Sequence, residues 1–257
     1  MKQCKDLKVV AVEYPSDGYV LLKLTDDMPF TDIRGGQFVE IKVEGSPKTF
    51  LRRPISVNYV DLVKNELHLL IQLVGDGTRA LSELKVGDSL NVLFPLGNGF
   101  TQGTAGEKVL LVGGGVGIAP LLEYGRQLVE AKAVPVFLLG GRSSKNLIML
   151  DQYKSIGDVY VTTEDGSMGN KGFVTDSDVL KESSAVKFDR ISVCGPKPMM
   201  VAMAKFAKQR GIKCEVSLEN MMACGLGACL CCVEKTVRGN VCVCKEGPVF
   251  DVNDLNW

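Results

Sequence analysis

Apolar and polar positions change their rhythm twice along the chain, and the changes divide it into three stretches. Over the first hundred or so residues the rhythm is short and alternating. Val39, Ile41 and Val43 are apolar while Glu40 and Lys42 between them are charged, the period-two pattern of a strand with one buried and one wet face. Residues 9–13, 19–24, 67–74 and 89–94 read as further strands, with a shorter one over 54–59. Turn residues punctuate them at Ser16-Asp17-Gly18, Gly35-Gly36, Gly75-Asp76-Gly77 and Gly87-Asp88. Roughly six short strands, with only residues 79–84 patterned as a short helix, predict a small antiparallel barrel.

A glycine-rich linker follows, and then the rhythm lengthens. Residues 108–112 form an apolar strand, and a helix after it carries Leu121, Gly125 and Leu128 near one face. Residues 134–139, 159–163 and 190–194 are further strands, and a later helix has Met199, Met203 and Phe206 as its apolar stripe. Strand, helix and strand in this order predict a parallel α/β sheet. Beyond it the chain is rich in cysteine. The reading is therefore a multidomain chain: an antiparallel β-barrel over 1–102, an α/β parallel-sheet nucleotide-binding domain over 103–212, and a small C-terminal domain over 213–257.

Composition narrows the function classes. Lys+Arg and Asp+Glu both number 30 among 257 residues, so no charge excess points to nucleic acid. No apolar run approaches the ~18 residues of a membrane span, and the first ten residues are polar, without the apolar core of a secretion leader. The expected location is the cytoplasm.

Six of the nine cysteines lie between positions 224 and 244. Cys224, Cys229 and Cys232 have the C-x4-C-x2-C spacing of plant-type [2Fe–2S] proteins, which take a fourth cysteine further on. Gly225 and Gly227 allow the sharp turns such a loop needs. A disulfide knot fits poorly with an odd cysteine count in an intracellular chain. Structural zinc usually takes two C-x2-4-C knuckles, and here the only C-x2-C pair is Cys229/Cys232, beside crowded Cys231. Cys231 and Cys242 remain as extra thiols. Local geometry leaves Cys242 and Cys244 open as fourth ligand, because alternation along an extended strand would put both on one face.

Two other stretches have phosphate-binding chemistry. Arg53-Pro54-Ile55-Ser56 joins a guanidinium to extended backbone, and Gly77-Thr78 offers unhindered N–H groups and a hydroxyl. Beside a redox cluster, they read as a flavin site. In the α/β stretch, Gly113-Gly114-Gly115-Val116-Gly117 is a phosphate-binding turn after a buried strand. It is not the G-x-G-x-x-G dinucleotide fingerprint, for Ile118 holds the last position and no acidic residue ends the next strand at Gly140-Gly141-Arg142. Cys194-Gly195-Pro196 forms a second strand-to-helix turn.

The Arg-Pro-x-Ser stretch, the Gly113–Pro120 turn and the Cys194–Met199 turn resemble the ferredoxin–NADP reductase superfamily. Glu219-Asn220, Cys224 to Cys229, and Cys244 with Gly247-Pro248-Val249-Phe250 more specifically resemble the electron-transfer subunits of dihydroorotate dehydrogenase B, over essentially the whole chain. The resemblance implies FAD on the barrel, NAD on the α/β domain and a [2Fe–2S] cluster at the C-terminal end. It also implies a partner, an FMN-containing catalytic subunit, in a heterotetramer of two of each. By position it places Arg53, Pro54, Ile55, Ser56, Leu70, Ile71 and Gln72 around the flavin, and Gly77 and Thr78 at its pyrophosphate. Gly113, Gly114, Gly115, Gly117, Gly195 and Pro196 would meet the nicotinamide nucleotide. Ser56 would sit near the reactive flavin edge, with Cys194 and Glu219 near the nicotinamide. Among the cysteines it selects Cys244 to complete a ligand set with Cys224, Cys229 and Cys232. Two rival readings are the small FAD/[2Fe–2S] subunit of a ferredoxin-dependent NADP transhydrogenase or sulfide dehydrogenase, and a redox sensor without turnover.

Overall fold

The structure, a computed structural model, describes residues 2–181 and 183–257. The barrel strands are β1 (Gln3–Glu13), β2 (Tyr19–Thr25), β3 (Phe38–Ile41), β4 (Arg53–Ser56), β5 (Tyr59–Asp61), β6 (Glu66–Gln72) and, after helix α1 (Asp76–Ser82), β7 (Ser89–Leu96). They form one antiparallel sheet in the order β4-β3-β7-β1-β2-β6-β5, which curls until β4 stands beside β6. Inside lies an aliphatic core that includes Leu22, Val39, Ile41, Leu69 and Val92, none with measurable exposure.

Two details depart from the alternation read in the sequence. The strand expected over 54–59 is split, with β4 and β5 at opposite edges of the sheet. The break falls at Val57-Asn58, where Asn58 is fully buried and, besides its N–H bond to His68 O of β6, is bonded through its side chain and carbonyl to the next domain. Glu40, expected on the wet face of β3, is also fully buried. That face is covered by the cysteine loop, and a Cβ on Gly225 would come within 2.8 Å of Glu40 Cγ.

The second sheet begins with β8 (Lys108–Gly114), helix α2 (Ala119–Glu130), β9 (Val134–Gly141), α3 (Leu150–Lys154), β10 (Asp158–Thr163) and β11 (Asn170–Lys171). It continues with β12 (Arg190–Cys194), α4 (Lys197–Gln209) and β13 (Lys213–Ser217). Its order is β11-β10-β9-β8-β12-β13 followed by β16 (Val249–Asp251), parallel except for this last strand. The chain leaves β8 toward β9 and later returns to place β12 on the other side of β8. Such a reversal opens a crevice at the carboxyl ends of the two strands. The apolar stripe of α4 is Met200, Met203 and Ala207, all buried, while Met199 and Phe206 flank it half-buried. The α/β sheet also runs beyond residue 212, because β13 pairs with β12 along its whole length.

The remaining residues form a hairpin of β14 (Val233–Thr236) and β15 (Gly239–Cys242), a single helical turn α5 (Val243–Glu246), and β16 (Val249–Asp251). β16 pairs antiparallel with the edge strand β13, so this segment is clamped onto the α/β sheet. It also touches the barrel, where the Asn98 N–H donates to Gly247 O at 2.6 Å.

A buried charge network ties the α/β sheet to the linker before it. Arg190, 4% exposed, stands 3.0 Å from Glu107 and 3.6 Å from Glu215. Glu215 in turn accepts from the Thr101 N–H at 3.0 Å. Arg190→Leu leaves two carboxylates buried without their partner. It is expected to cost about 3–5 kcal/mol, measured as a lower denaturation midpoint in urea; an unchanged midpoint would show the network to be dispensable.

Candidate functional site

A cavity of about 330 Å³ lies where the three parts of the chain meet. Its barrel wall is made of Arg53, Pro54, Ile55 and Ser56 on β4 with Leu70, Ile71 and Gln72 on β6. Successive side chains on each strand turn to opposite faces, so the wall is made of alternate side chains and the peptide groups between them, with Ile71 turned into the barrel core. Thr78 closes one end. Its hydroxyl is already engaged in the turn, accepting from the Val74 and Gly75 N–H groups and donating to Gly75 O, each within 3.1 Å. Gly77 is not part of the wall itself but packs against Thr49 and the Arg53 side chain.

The opposite wall comes from the α/β sheet. Val116 and Ala119 border the cavity from the glycine turn and the start of α2, and Cys194 from the end of β12. Gly117 must lack a side chain because a Cβ there would lie 2.5 Å from Cys194 O and 2.6 Å from Gly195 Cα. Gly114 and Gly117 thereby meet Pro196 and Gly195 across the crevice between β8 and β12, whereas Gly113 faces Ile118 and Leu121 and Gly115 faces open space. A Cβ on Gly114 would reach Pro196 Cδ at 3.1 Å. Burial pushes the Cys194 thiol up, with the Glu219 carboxylate adding to the effect, so it stays protonated at neutral pH.

A third wall brings together residues that the sequence motifs hold only in part, Glu219, Asn220 and Pro248 among them. Ser217, Leu218, Glu219, Asn220, Met222 and Pro248 all line the cavity. The segment between β13 and the cysteine loop thus forms part of the pocket. Glu219 borders the cavity while keeping an exposed surface, and partial desolvation pushes its carboxyl up. Ser56, Cys194 and Glu219 therefore share one cavity.

The cysteine loop continues directly from this wall, Cys224 lying two residues after Met222, and rests on Glu40 and Leu96 of the barrel at Gly225. Gly225, Gly227 and Leu230 adopt positive φ, at 65°, 82° and 59°, and these turns aim backbone donors at sulfur. The Leu226 N–H donates to Cys224 Sγ at 3.3 Å and the Gly227 N–H to Cys244 Sγ at 3.1 Å. The Cys244 N–H donates to Cys232 Sγ at 3.4 Å. The bond from Leu226, joined by hydrogen bonds from Cys229 and the Ala228 N–H, pulls the Cys224 thiol down to about 6. Cys244 is pushed up to about 12, chiefly by burial and then by its neighbour Cys232. A ferric centre would displace those protons, as metal binding does at any thiol site. Among the described residues no three Cys, His or acidic groups converge closely enough for a single metal ion. Four thiols spread over a turn with N–H groups aimed at sulfur instead suit a larger, sulfide-bridged cluster.

Cys242 and Cys244 do not alternate along one strand, because β15 ends at Cys242 and α5 starts at Val243. Cys244 is fully buried, whereas Cys242 is half-buried with Sγ 3.9 Å from Gly227 O. Cys231 is exposed. Glu40 lies beneath the loop, and neither of its carboxylate oxygens has a hydrogen-bond partner. Burial pushes this carboxyl up to about 7 against the opposing pull of Arg53 and Arg52.

Residues 219–256 match the family described as the iron–sulfur cluster binding domain of dihydroorotate dehydrogenase B, and residues 111–205 match the oxidoreductase NAD-binding domain. The chain is 38% identical over 260 residues to the dihydroorotate dehydrogenase B (NAD(+)) electron transfer subunit of Shouchella clausii, covering 99% of this chain and 98% of that one. The subunit of the same name from Fusobacterium nucleatum is also 38% identical, over 86% of each chain. Among solved structures, an NADH-dependent reduced ferredoxin–NADP oxidoreductase studied for flavin-based electron bifurcation superimposes with a TM-score of 0.86. It is 31% identical, with 98% of this chain and 90% of that chain covered. Phthalate dioxygenase reductase, 21% identical with a TM-score of 0.63 over 80% of this chain and 64% of that one, shares the fold.

Proposed function

The chain belongs to the family of dihydroorotate dehydrogenase B electron transfer subunits, and from that premise we propose how its own residues carry the work. It is the oxidoreductase subunit that moves electrons within that complex, with FAD, a [2Fe–2S] cluster and NAD as cofactors and a catalytic subunit as partner. The kinship with the bifurcating oxidoreductase is at lower identity, and the match of the cysteine segment favours the pyrimidine enzyme over the transhydrogenase reading.

The observation that supports this division of labour best is the three-walled cavity. Its barrel wall suits an isoalloxazine ring, its second wall is the crevice of a dinucleotide-binding sheet, and its third wall continues directly into the cysteine loop. When bound, the flavin converts between the two-electron chemistry of nicotinamide and the one-electron chemistry of the cluster. Arg53 would hold a flavin phosphate, and the β4 and β6 backbones would fix the ring. Ser56 stands where a hydroxyl can donate to the ring edge, while Cys194 and Glu219 flank the nicotinamide position. The buried Cys194 thiol acts as a neutral wall there, not as a nucleophile. Cys224, Cys229, Cys232 and Cys244 would ligate the two irons, and the Leu226 and Gly227 N–H groups would stabilise the added electron.

The partner in this reading is an FMN-containing catalytic subunit that oxidises dihydroorotate, assembled as two of each chain. Exposed Met221, Leu226 and Leu230 beside the cysteines offer it an apolar docking face. The location proposed is the cytoplasm, where reduced thiols persist. No helix among the described residues is long and apolar enough to cross a membrane.

The test is to load the isolated chain with FAD and cluster and to assay two reactions. NADH oxidation with an artificial acceptor is expected to proceed, and dihydroorotate oxidation to be absent until the catalytic subunit is added. Orotate formation by the isolated chain would overturn the division of labour. A loaded chain inert toward NADH would overturn the reading as a whole.

A further inference from the structure

Flavin and nicotinamide walls belong to different domains, so something must set the gap between them. We propose that Asn58 and Glu123 are positioning residues that lock the glycine turn of the α/β domain against the flavin strand, and so fix the distance across which hydride moves. This rests on the flavin–nicotinamide reading of the cavity.

The argument starts from where Asn58 sits. It lies two residues after Ser56 on the flavin wall and has no exposed surface. Its N–H donates to His68 O in the barrel sheet at 3.0 Å, while its carbonyl accepts from the Glu123 N–H at 3.0 Å. Its side-chain Nδ2 donates to Ala119 O, also at 3.0 Å. Ala119 is the first residue of α2, two positions after Gly117 on the nicotinamide side. One residue therefore bridges the two walls through four covalent positions of chain.

Glu123 repeats the link one turn along α2. It too has no exposed surface. Its Oε2 accepts from the Val60 N–H of β5 at 3.0 Å and from Arg126 Nε at 3.0 Å. Its Oε1 accepts from Gln127 Nε2 at 2.8 Å and from Arg126 Nη2 at 2.5 Å. Gln127 then donates to Ile33 O at 2.7 Å and accepts from the Gly35 N–H at 3.0 Å. Three contact points on successive turns of α2 thus reach two separate barrel segments, residues 58–60 and 33–35.

Adhesion alone does not need these bonds. Phe100 already stacks on Tyr124 with centroids 4.7 Å apart, and Gly35 packs against the Tyr124 backbone. Apolar contacts glue surfaces but slide. A buried carboxylate is costly unless paired, and what this one adds is direction: four donors of fixed geometry from both domains. Hydride transfer tolerates little slack, since reacting atoms must approach to roughly 3–3.5 Å and a displacement of about 1 Å can cost on the order of a hundredfold in rate.

The experiment uses the FAD- and cluster-loaded chain mixed rapidly with NADH. Glu123→Ala and the milder Asn58→Ala are compared with the unsubstituted protein. Three readouts are taken: the limiting rate of flavin reduction, the NADH dissociation constant, and the long-wavelength charge-transfer absorbance of the nicotinamide–flavin pair. Both variants are expected to bind NADH with little change, to lose much of the charge-transfer absorbance, and to fall roughly tenfold to a hundredfold in limiting rate. Glu123→Gln, which keeps an acceptor for the Val60 N–H, should recover part of both. A lower melting temperature with rate and absorbance intact would overturn the proposal, as would a rate loss that merely follows FAD content. If Glu123→Ala does not fold, Asn58→Ala decides alone. An unsubstituted chain that NADH cannot reduce overturns the underlying reading, whereas variants that fail beside a competent parent test only this one.

Discussion

Cys244→Ala is expected to abolish most of the [2Fe–2S] electron paramagnetic resonance signal of the reduced protein, while Cys242→Ala keeps it. The fold makes the two thiols unequal. Cys244 is buried in the first turn of α5, where its sulfur receives the Gly227 N–H at 3.1 Å and its own N–H points at Cys232 Sγ. It therefore faces inward to the loop that carries the other ligands. Cys242 closes β15 as the residue before that turn, half-buried, and its N–H is tied to Glu246 Oε2 at 2.9 Å. The same contrast holds earlier in the loop. Cys232 is 2% exposed and bonded to Cys244, whereas Cys231 faces solvent. Cys232→Ala should lose the signal and Cys231→Ser should keep it. A normal signal in Cys244→Ala beside its loss in Cys242→Ala would show that the ligand assignment is wrong.

Arg53→Ala is expected to lower FAD affinity roughly tenfold to a hundredfold, equivalent to the 1.5–3 kcal/mol or so of a hydrogen bond to a charged group. The guanidinium stands at the cavity lip, steered by bonds from Nε to Arg52 O and from Nη2 to Leu51 O, both 3.0 Å. Gly77 brings α1 against its aliphatic stem, so the side chain is held where a phosphate would lie. Arg53→Lys keeps the charge but not the planar fork, and should fall between the two. The measurement is the flavin-to-protein ratio after purification, followed by FAD titration of the stripped protein. Full retention of FAD in Arg53→Ala would remove this residue from the site.

How much of this was written in the sequence depends on what each residue answers to. Val39 and Ile41 answer to the barrel core, and their alternation is legible without the fold. Glu40 lies between them and obeys the same pattern, yet it is buried, because its surroundings come from a loop more than 180 positions away in the chain. Periodicity records which face of a strand is apolar, not what later covers the other face. The split of residues 54–59 has the same origin: Asn58 leaves the strand to satisfy Ala119 and Glu123, partners that no local window contains. The cysteine spacing was informative because ligation fixes it chemically. The choice between Cys242 and Cys244 was not, since it turns on where a strand yields to a single helical turn. The third wall of the cavity was legible in part, at Glu219, Asn220 and Pro248, which belong to sequence motifs, whereas Leu218 looks like any core residue until the chain folds back.

The antiparallel docking of β16 on β13 bears on how the protein ages as well as how it folds. At the far end of the same sheet β11 is only two residues long, too short to template a foreign strand. At the near end the protection is β16, which hides the main-chain edge of β13 and is reached through α5, the turn that carries Cys244. With Cys244 as a cluster ligand, oxidative loss of the cluster is expected to loosen that turn and with it the cap, seen as faster hydrogen exchange at the β13 amides. The uncovered edge would then recruit other chains, so chemical damage at sulfur would surface as aggregation rather than as simple inactivity.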